Sequence, residues 1–245
     1  MADPAMLLEK GRLRARLACG AADLAAAEAL RLRCFGSRAA GLDRYDEICS
    51  HVLIEDLDGR LLCCFRLLLL ESGAGVARSY SAQNYDLGAL QGYAAPMAEI
   101  GRFCIDPAQR DADILRLAWG ALALLVDRAG AGLLFGCASF AGTDPAEYSA
   151  AFAWLRRRHL APPRWRPGEK AAELHHFAAA AGAGPDTAEA LRRLPPLLRS
   201  YLAMGGWVSD HAVVDRQMNT LHVFTGLEIA AIPAARKRLL RAAAG

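Results

Sequence analysis

Long apolar runs are missing from this 245-residue chain. A bilayer needs about 20 consecutive apolar residues, and the best candidate, "ILRLAWGALALLV", is shorter and carries Arg116 near its start. The opening "MADPAMLLEKGRLRARL" lacks the apolar stretch of a secretion signal, so the expected location is cytoplasmic, with peripheral contact at the inner membrane face as a further expectation. A strong excess of charge is missing too. The formal net charge is +3, too weak to point to nucleic acid, and no nucleic-acid partner is expected. Lysine is scarce, so the cations are mostly arginine, clustered in "RLRAR", in "RRRH" at 156–159 and in "RKRLLR" at 236–241. Such clusters suit an acidic protein or an anionic lipid surface, although a solvated helix face is the plainer use of any one of them. The seven cysteines have no framework spacing and several lie in apolar runs, where cysteine acts as a small hydrophobe; the thiols are expected reduced. Adjacent Cys63 and Cys64 would point to opposite faces of a strand, which makes no metal clip. The pair His175–His176 lacks a third ligand, so no metal is expected. Ser139 lacks the Gly-x-Ser-x-Gly turn of a hydrolase nucleophile.

What is present is a globular composition, 54% hydrophobic and 22% charged, long enough to bury a core. "LRARLACG" reads as an opening strand and "AADLAAAEALRLRCFG" as a helix, with Asp23 near its start and Gly36 closing it. "HVLIEDLDGRLLCCFRLLLL" reads as a hairpin turning at "DLDG". A loop rich in small residues leads to the strand "AEIGRFCI". The helix "DADILRLAWGALALLVDRAG" follows, then the strand "LLFGCASF", then a helix capped by Thr143 or Asp144 with Pro145 in its first turn. Residues 161–190 read as an insertion within a single domain over 1–245. A helix "LPPLLRSYLAMG", strands around "WVSDHAVV" and "LHVFTGL", and a basic terminal helix complete an α/β order with a mixed sheet. Phe152, Trp154 and Trp119 are expected in the core.

Glu99 and Arg102 sit among apolar residues in "AEIGRFCIDPAQR". Burying charge is costly unless it is paired, so the pair is either structural or chemical. Strand alternation places residues three apart on opposite faces, and a bulge, with Gly101 as its expected site, would bring them closer. A carboxyl among apolar neighbours holds a proton more firmly, which suits a general base. Arg31, Arg66 and Arg102 could clamp a carboxylate through paired N–H groups. Asp43 and Asp46 could bind an ammonium group, steady those arginines, or simply form a turn. His51 fits a structural histidine or a member of the same network.

Four stretches, "DRYDEICSHVLIED", "AEIGRFCIDPAQR", "LLFGCASFAGTDP" and "LPPLLRSYLAMGGWVSDHAVVD", resemble the bacterial ornithine N-acyltransferases of the GNAT superfamily. The chain is also similar to the acyl-homoserine lactone synthases in carrying Arg31 and Phe35, Asp43 and Asp46, Arg66, then Glu99 and Arg102. The resemblance implies a GNAT-like fold, a mixed central β-sheet flanked by helices with an insertion and a C-terminal extension. It implies transfer of a 3-hydroxyacyl chain from acyl carrier protein to the α-amino group of ornithine, giving the lyso form of ornithine lipid. Glu99 and Arg102 would be catalytic, and Arg31, Phe35, Asp43, Asp46, Arg66, Phe103, Cys104 and Ser139 would line the substrate site. No cofactor would be resident, since the thioester arrives on the carrier protein's phosphopantetheine arm.

Two departures matter. Members that use acetyl-CoA carry a glycine-rich phosphate loop, and here that loop is "QRDADI", without glycine and with two acids. Asp resists the close backbone approach that Gly permits, which disfavours CoA. "GSRAAG" lacks the aromatic residue expected of a lactone synthase, and His211 and His222 stand where the ornithine enzymes tend to have Gly and Asp. The alternatives are a lactone-synthase-like or CoA-dependent N-acyltransferase and, in another class, an inactive acyltransferase fold that binds carrier protein or membrane. A binding module would have no use for an internal charge network.

Overall fold

The computed structural model describes residues 6–36, 41–178 and 187–243, with side chains of the last helix described up to residue 238. Part of "GSRAAG", part of the 161–190 segment and part of the "RKRLLR" cluster lie outside the described residues or side chains. The chain divides into two compact units, one of Met1–Leu69, Ala98–Ala131 and Pro233–Gly245, the other of Leu70–Met97 and Gly132–Ile232.

The first unit opens with β1 (Met6–Lys10), β2 (Leu13–Leu17), α1 (Ala21–Phe35), β3 (Ser50–Asp56) and β4 (Leu61–Leu70). After β5 (Tyr85–Asp86) in the second unit, the chain returns through β6 (Met97–Ile105) and α2 (Ala112–Arg128). The sheet order is β1-β2-β3-β4-β6, with the first three pairings antiparallel. The expected hairpin is β3–β4. Asp56 Oδ1 accepts from the amides of Asp58 and Arg60 at 3.0 and 2.9 Å, and Gly59 takes φ 78°, a left-handed turn that needs no Cβ. β4 is buried at almost every position because both of its faces are covered. α1 directs Ala27 and Leu30 onto Leu53, Cys64 and Cys104, and α2 packs on β1, β2 and β3.

In the second unit come β7 (Leu133–Ala141), α3 (Ser149–Arg158), β8 (Gly168–Glu169), β9 (Leu174–His176), α4 (Thr187–Arg193), α5 (Pro196–Ala203), β10 (Trp207–Val208), β11 (His211–Asp215) and β12 (Thr220–Glu228). The order β7-β12-β11-β9 is antiparallel, with β10 on β12 and β5 on β8; one isolated bridge, Leu160 to Val208, is parallel. The segment expected as an insertion thus supplies an edge strand. Asp144 rather than Thr143 is the cap before α3, accepting from the Ala146 amide at 2.9 Å, and the first turn is a 3₁₀ helix at Pro145–Tyr148. Alternation splits this sheet cleanly. Ala138, Phe140, Ala212, Leu221 and Val223 face a core with Phe152, Trp154 and Leu155 of α3, Leu198 and Leu202 of α5. Cys137, Ser139, His211, His222 and Phe224 occupy the alternate positions. The chain then rejoins the first unit with α6 (Ala234–Ala243), packed on α2. The α/β class read from the sequence, a sheet flanked by helices, is the observed one.

Candidate active site

The first unit gathers the polar residues of four separate segments into one buried network. Arg31, 3% exposed on the inner side of α1, donates through Nη1 to Asp46 Oδ1 at 2.7 Å. Arg66 projects from β4 and donates through Nη1 to Asp43 Oδ1 at 2.6 Å and to Asp46 Oδ1 at 3.0 Å. Arg102 on β6 reaches the other oxygen, Asp43 Oδ2, at 3.0 Å. Three guanidiniums are thus joined by two carboxylates.

The aspartates are also turn residues. Asp43 Oδ1 accepts from the Tyr45 amide at 2.9 Å, Asp46 Oδ2 from the Asp43 amide at 2.8 Å, and the Asp46 amide donates to the Asp43 carbonyl at 2.9 Å. The short side chains hold the turn and the turn aims them at the arginines, so the two roles expected as alternatives are one arrangement. Burial works against the charge on Asp43, but Arg66 and Arg102 more than reverse it and hold the carboxyl down at about 2. For Asp46 burial is likewise outweighed, by the Asp43 amide, Arg31 and Arg66, and its carboxyl is lowered. Tyr45 closes one side, its ring 5.3 Å from the Arg66 guanidinium and 4.9 Å from that of Arg44.

His51 completes the network. Its Nδ1 accepts from Arg31 Nη2 at 3.1 Å and its Nε2 donates to the Asp46 carbonyl at 3.0 Å. One nitrogen accepts and the other donates, so the ring is neutral. Burial, reinforced by the charge of Arg31, pushes it below the ordinary histidine range.

The left-handed residue of β6 is Arg102, whose φ is 53°, directly after Gly101, where the sequence suggested a bulge. A left-handed residue with a side chain costs roughly 1–2 kcal/mol, and such strain persists only where the surroundings impose it. The glycine is needed for another reason. A Cβ on Gly101 would lie 3.3 Å from Arg66 Nε and 3.5 Å from its Cγ, so the missing side chain makes room for Arg66 to cross β6. Glu99 is 4% exposed. Its charge is felt by Cys49, whose thiol is pushed up to about 11, first by burial and then by Glu99, Asp46 and Asp43.

Around this seam, Phe103 stacks on Phe65 with ring centroids 5.7 Å apart. Cys104 Sγ lies 3.5 Å from Cys64 Sγ, and Phe35 packs beside them from the end of α1. The seven cysteines are free thiols. Ser139 belongs to the second unit, exposed on β7 opposite His222. At the start of α2, Asp111 accepts from the Asp113 amide at 2.8 Å, and Asp113 is taken by Arg116 at 2.6 Å. One of the amides at this helix start, that of Asp113, is thus taken by the chain's own carboxylate, and the acids at 111 and 113 oppose a pyrophosphate there. Among the described residues, no group of His, Cys, Asp and Glu is arranged to hold a metal, and no helix is long and apolar enough to cross a membrane.

The sequence brought Arg31, Asp43, Asp46, Arg66 and Arg102 together correctly but did not foresee Tyr45 and Arg44. It also missed the assembly of Tyr85, His211 and His222 in the second unit, whose members are 137 residues apart at the extreme.

The family model described as "Acetyltransferase (GNAT) domain" matches residues 32–120, a span that includes Asp43, Asp46, Arg66, Glu99 and Arg102. Among solved structures, the GNAT-like decarboxylase GphF in complex with isobutyryl-CoA superposes with a TM-score of 0.52 at 17% identity, covering 88% of this chain and 98% of that one. The family model and the fold are those of the GNAT class. An L-ornithine N(alpha)-acyltransferase of Rhodobacter capsulatus is 34% identical over 227 residues, covering 85% of this chain and 86% of the relative. The enzyme of the same name from Brucella abortus is 31% identical over 252 residues, covering 93% and 88%. The chain belongs to the L-ornithine N(alpha)-acyltransferase family.

Proposed function

We propose that the protein moves a 3-hydroxylated fatty acyl chain from acyl carrier protein to the α-amino group of L-ornithine, giving lyso-ornithine lipid. The observation that carries the proposal is the buried network that fixes Arg102 in a strained conformation three residues from Glu99. A purely structural ion cluster has no need of a strained strand at its centre.

In this reaction the N–C bond forms, the C–S bond of the thioester breaks, and a proton leaves the attacking ammonium. Releasing that proton at neutral pH costs about 1 kcal/mol at the chain-terminal α-amino pKa of ~7.8, and more for a free amino acid, which titrates higher. Glu99 accepts it, directly or through a water, and a positioned base is worth about 10²–10⁴-fold. Backbone amides of residues 103–105 steady the oxyanion, and Arg102, 21% exposed while Arg31 and Arg66 are buried, is the arginine suited to the acceptor's carboxylate. Arg31, Arg66, Asp43 and Asp46 hold Arg102 in place. Phe35, Phe103 and Cys104 supply apolar surface to the acyl chain. The departing pantetheine thiolate takes up the second proton that the nitrogen sheds as the amide forms. The self-capped start of α2 favours a pantetheine donor over CoA. No resident cofactor is required, and the arginine clusters offer an acidic carrier protein or an anionic bilayer a docking charge. Because screening shortens to ~3 Å at 1 M salt, donor affinity should fall as salt rises.

The test is to incubate the purified protein with matched acyl carrier protein and CoA thioesters and each amino acid, reading products by mass. N-acylornithine formed from the carrier-protein donor is expected. Equal use of CoA, or acylation of a different amino acid, overturns the proposal.

A further inference from the structure

Three thiols of the first unit meet under α1. Cys34 stands near the end of α1, Cys64 in the middle of β4 and Cys104 near the end of β6. Cys64 Sγ and Cys104 Sγ are 3.5 Å apart, and Cys104 is also hydrogen-bonded to Cys34. All three pack on the core made by Ala27, Leu30 and Leu53. Exposure grades them. Cys64 is 1% and Cys104 5% exposed, whereas Cys34 is half-buried, its sulfur 3.3 Å from the Ile105 carbonyl. A small oxidant therefore meets Cys34 first. Plain core filling has its own example in Cys63, which points to the other face of β4 and is fully buried, and burial holds its thiol well above the ordinary range.

Cys34 differs from Cys63 in its electrostatics as well as its access. The hydrogen bond from Cys104 holds the Cys34 thiol below its ordinary value, with help from Arg33 and against burial and the charge of Asp106. A thiolate is the form that peroxides oxidise, and a second thiol in contact with it can resolve the product. We propose that Cys34 and Cys104 form a reversible oxidation site, in which a peroxide enters at Cys34 and Cys104 closes a disulfide between α1 and β6. The Cys34 thiolate attacks one peroxide oxygen, the O–O bond breaks, and hydroxide leaves and is protonated to water. The Cys104 sulfur then attacks the Cys34 sulfenic acid. The S–S bond forms, the S–O bond breaks, and the Cys104 proton departs with the hydroxyl as a second water. Two thiols are oxidised and one peroxide is reduced. A disulfide draws its sulfurs to about 2.05 Å, well inside thiol contact, so β6 must shift beside Phe103 and the amides assigned to the oxyanion. Misplacing reacting groups by about 1 Å can cost a hundredfold in rate. That effect on turnover rests on the acyl-transfer reading; the disulfide does not.

The test treats the reduced full chain with hydrogen peroxide, blocks the remaining thiols with N-ethylmaleimide, digests with trypsin and reads the peptides by mass. The sequence is well cut for it. Cys34 leaves in "CFGSR", Cys104 in "FCIDPAQR", and Cys63 with Cys64 in "LLCCFR". A bridge between "CFGSR" and "FCIDPAQR", lighter than the separate peptides by two hydrogens and split by dithiothreitol, is expected. Its absence, or "LLCCFR" joined to "FCIDPAQR" in its place, overturns the site. Peroxide should lower turnover about a hundredfold, and dithiothreitol should restore it. Cys34→Ser, which keeps a donor for the Ile105 carbonyl, should leave basal turnover unchanged and abolish both the bridge and the loss. A Cys34→Ser enzyme that peroxide inactivates as fast as wild type overturns the coupling of the bridge to the reaction. If the reduced protein acylates no ornithine and the bridge still forms, the acyl-transfer reading falls and the oxidation site stands. If it acylates ornithine and no bridge forms, the oxidation site falls and the acyl-transfer reading stands.

Discussion

Two arginine-centred ion networks in the first unit invite comparison. In one, Arg16 of β2 meets Asp23 of α1 through Nη1 and Nη2 at 2.7 and 2.8 Å, and Glu55 of β3 through Nε and Nη2 at 2.9 and 2.6 Å. Every nitrogen of that guanidinium is taken by planar, bidentate partners, and the Arg16 side chain is only 12% exposed. In the other, Arg31 and Arg66 each reach the aspartates through Nη1, Arg31 to Asp46 and Arg66 to both Asp43 and Asp46, and the chain of bonds ends on Arg102, which is 21% exposed and held at φ 53°. The first network closes on itself and staples a helix to two strands. The second ends on an arginine under strain, partly exposed and three residues along β6 from a buried glutamate. Equal chemistry thus serves two purposes, and the difference lies in where the network stops.

The comparison can be broken by removing each centre in turn. Arg66→Ala strands Asp43 and Asp46 in a buried setting and should cost about 3–5 kcal/mol, measured by denaturant unfolding, together with nearly all turnover. Arg16→Ala should cost about 1.5–3 kcal/mol, the worth of charged hydrogen bonds, and leave kcat per folded molecule unchanged. If the two variants lose activity in parallel, the distinction between staple and site is wrong.

Acid sharpens the contrast. Asp43 titrates at about 2 in the folded chain against an ordinary 3.8. A depressed carboxyl contributes stability that is complete above the ordinary value and lost as pH falls from there through about 2. NMR titration of the Asp43 carboxyl should show this low midpoint, and Arg66→Ala should raise it. A midpoint that stays put would remove Arg66 as its cause. The smallest effect on stability is expected for Arg102→Gly. Relief of the left-handed strain, roughly 1–2 kcal/mol, offsets a partly exposed ion pair worth about 0–1 kcal/mol, so Tm should hold or rise slightly. KM for the amino-acid acceptor should rise nonetheless. A variant that melts much earlier with an unchanged KM would make Arg102 a structural residue.

Much of this was legible in the sequence where local chemistry governs. The turn "DLDG" announces the β3–β4 hairpin, and the helical spacing of α2 matches its buried face of Ile114, Leu117, Ala118, Ala121 and Leu122. Charges within an apolar strand marked Glu99 and Arg102 before any fold was known, and the resemblance to the lactone synthases added Arg66. The strain at Arg102 was not legible, because glycine is the residue that tolerates positive φ and Gly101 stood next to it; only the path of Arg66 across β6 shows what that glycine is for. β1 escaped notice since just Leu7 and Leu8 of its five residues are buried, which gives no alternation. The short strands β8 and β9 exist through pairing with β5 and β11, partners far away in the chain. The histidine pair on Tyr85 is tertiary for the same reason.

The account turns on Glu99 as the proton acceptor, and single-turnover acyl transfer by Glu99→Gln measures that most directly. With acyl carrier protein thioester and ornithine both saturating, the account predicts a rate lower by about 10²–10⁴-fold, with Tm and donor affinity unchanged and the lost rate partly recovered as pH rises and the free amine fraction grows. A Glu99→Gln enzyme that transfers its acyl chain at the wild-type rate would contradict it.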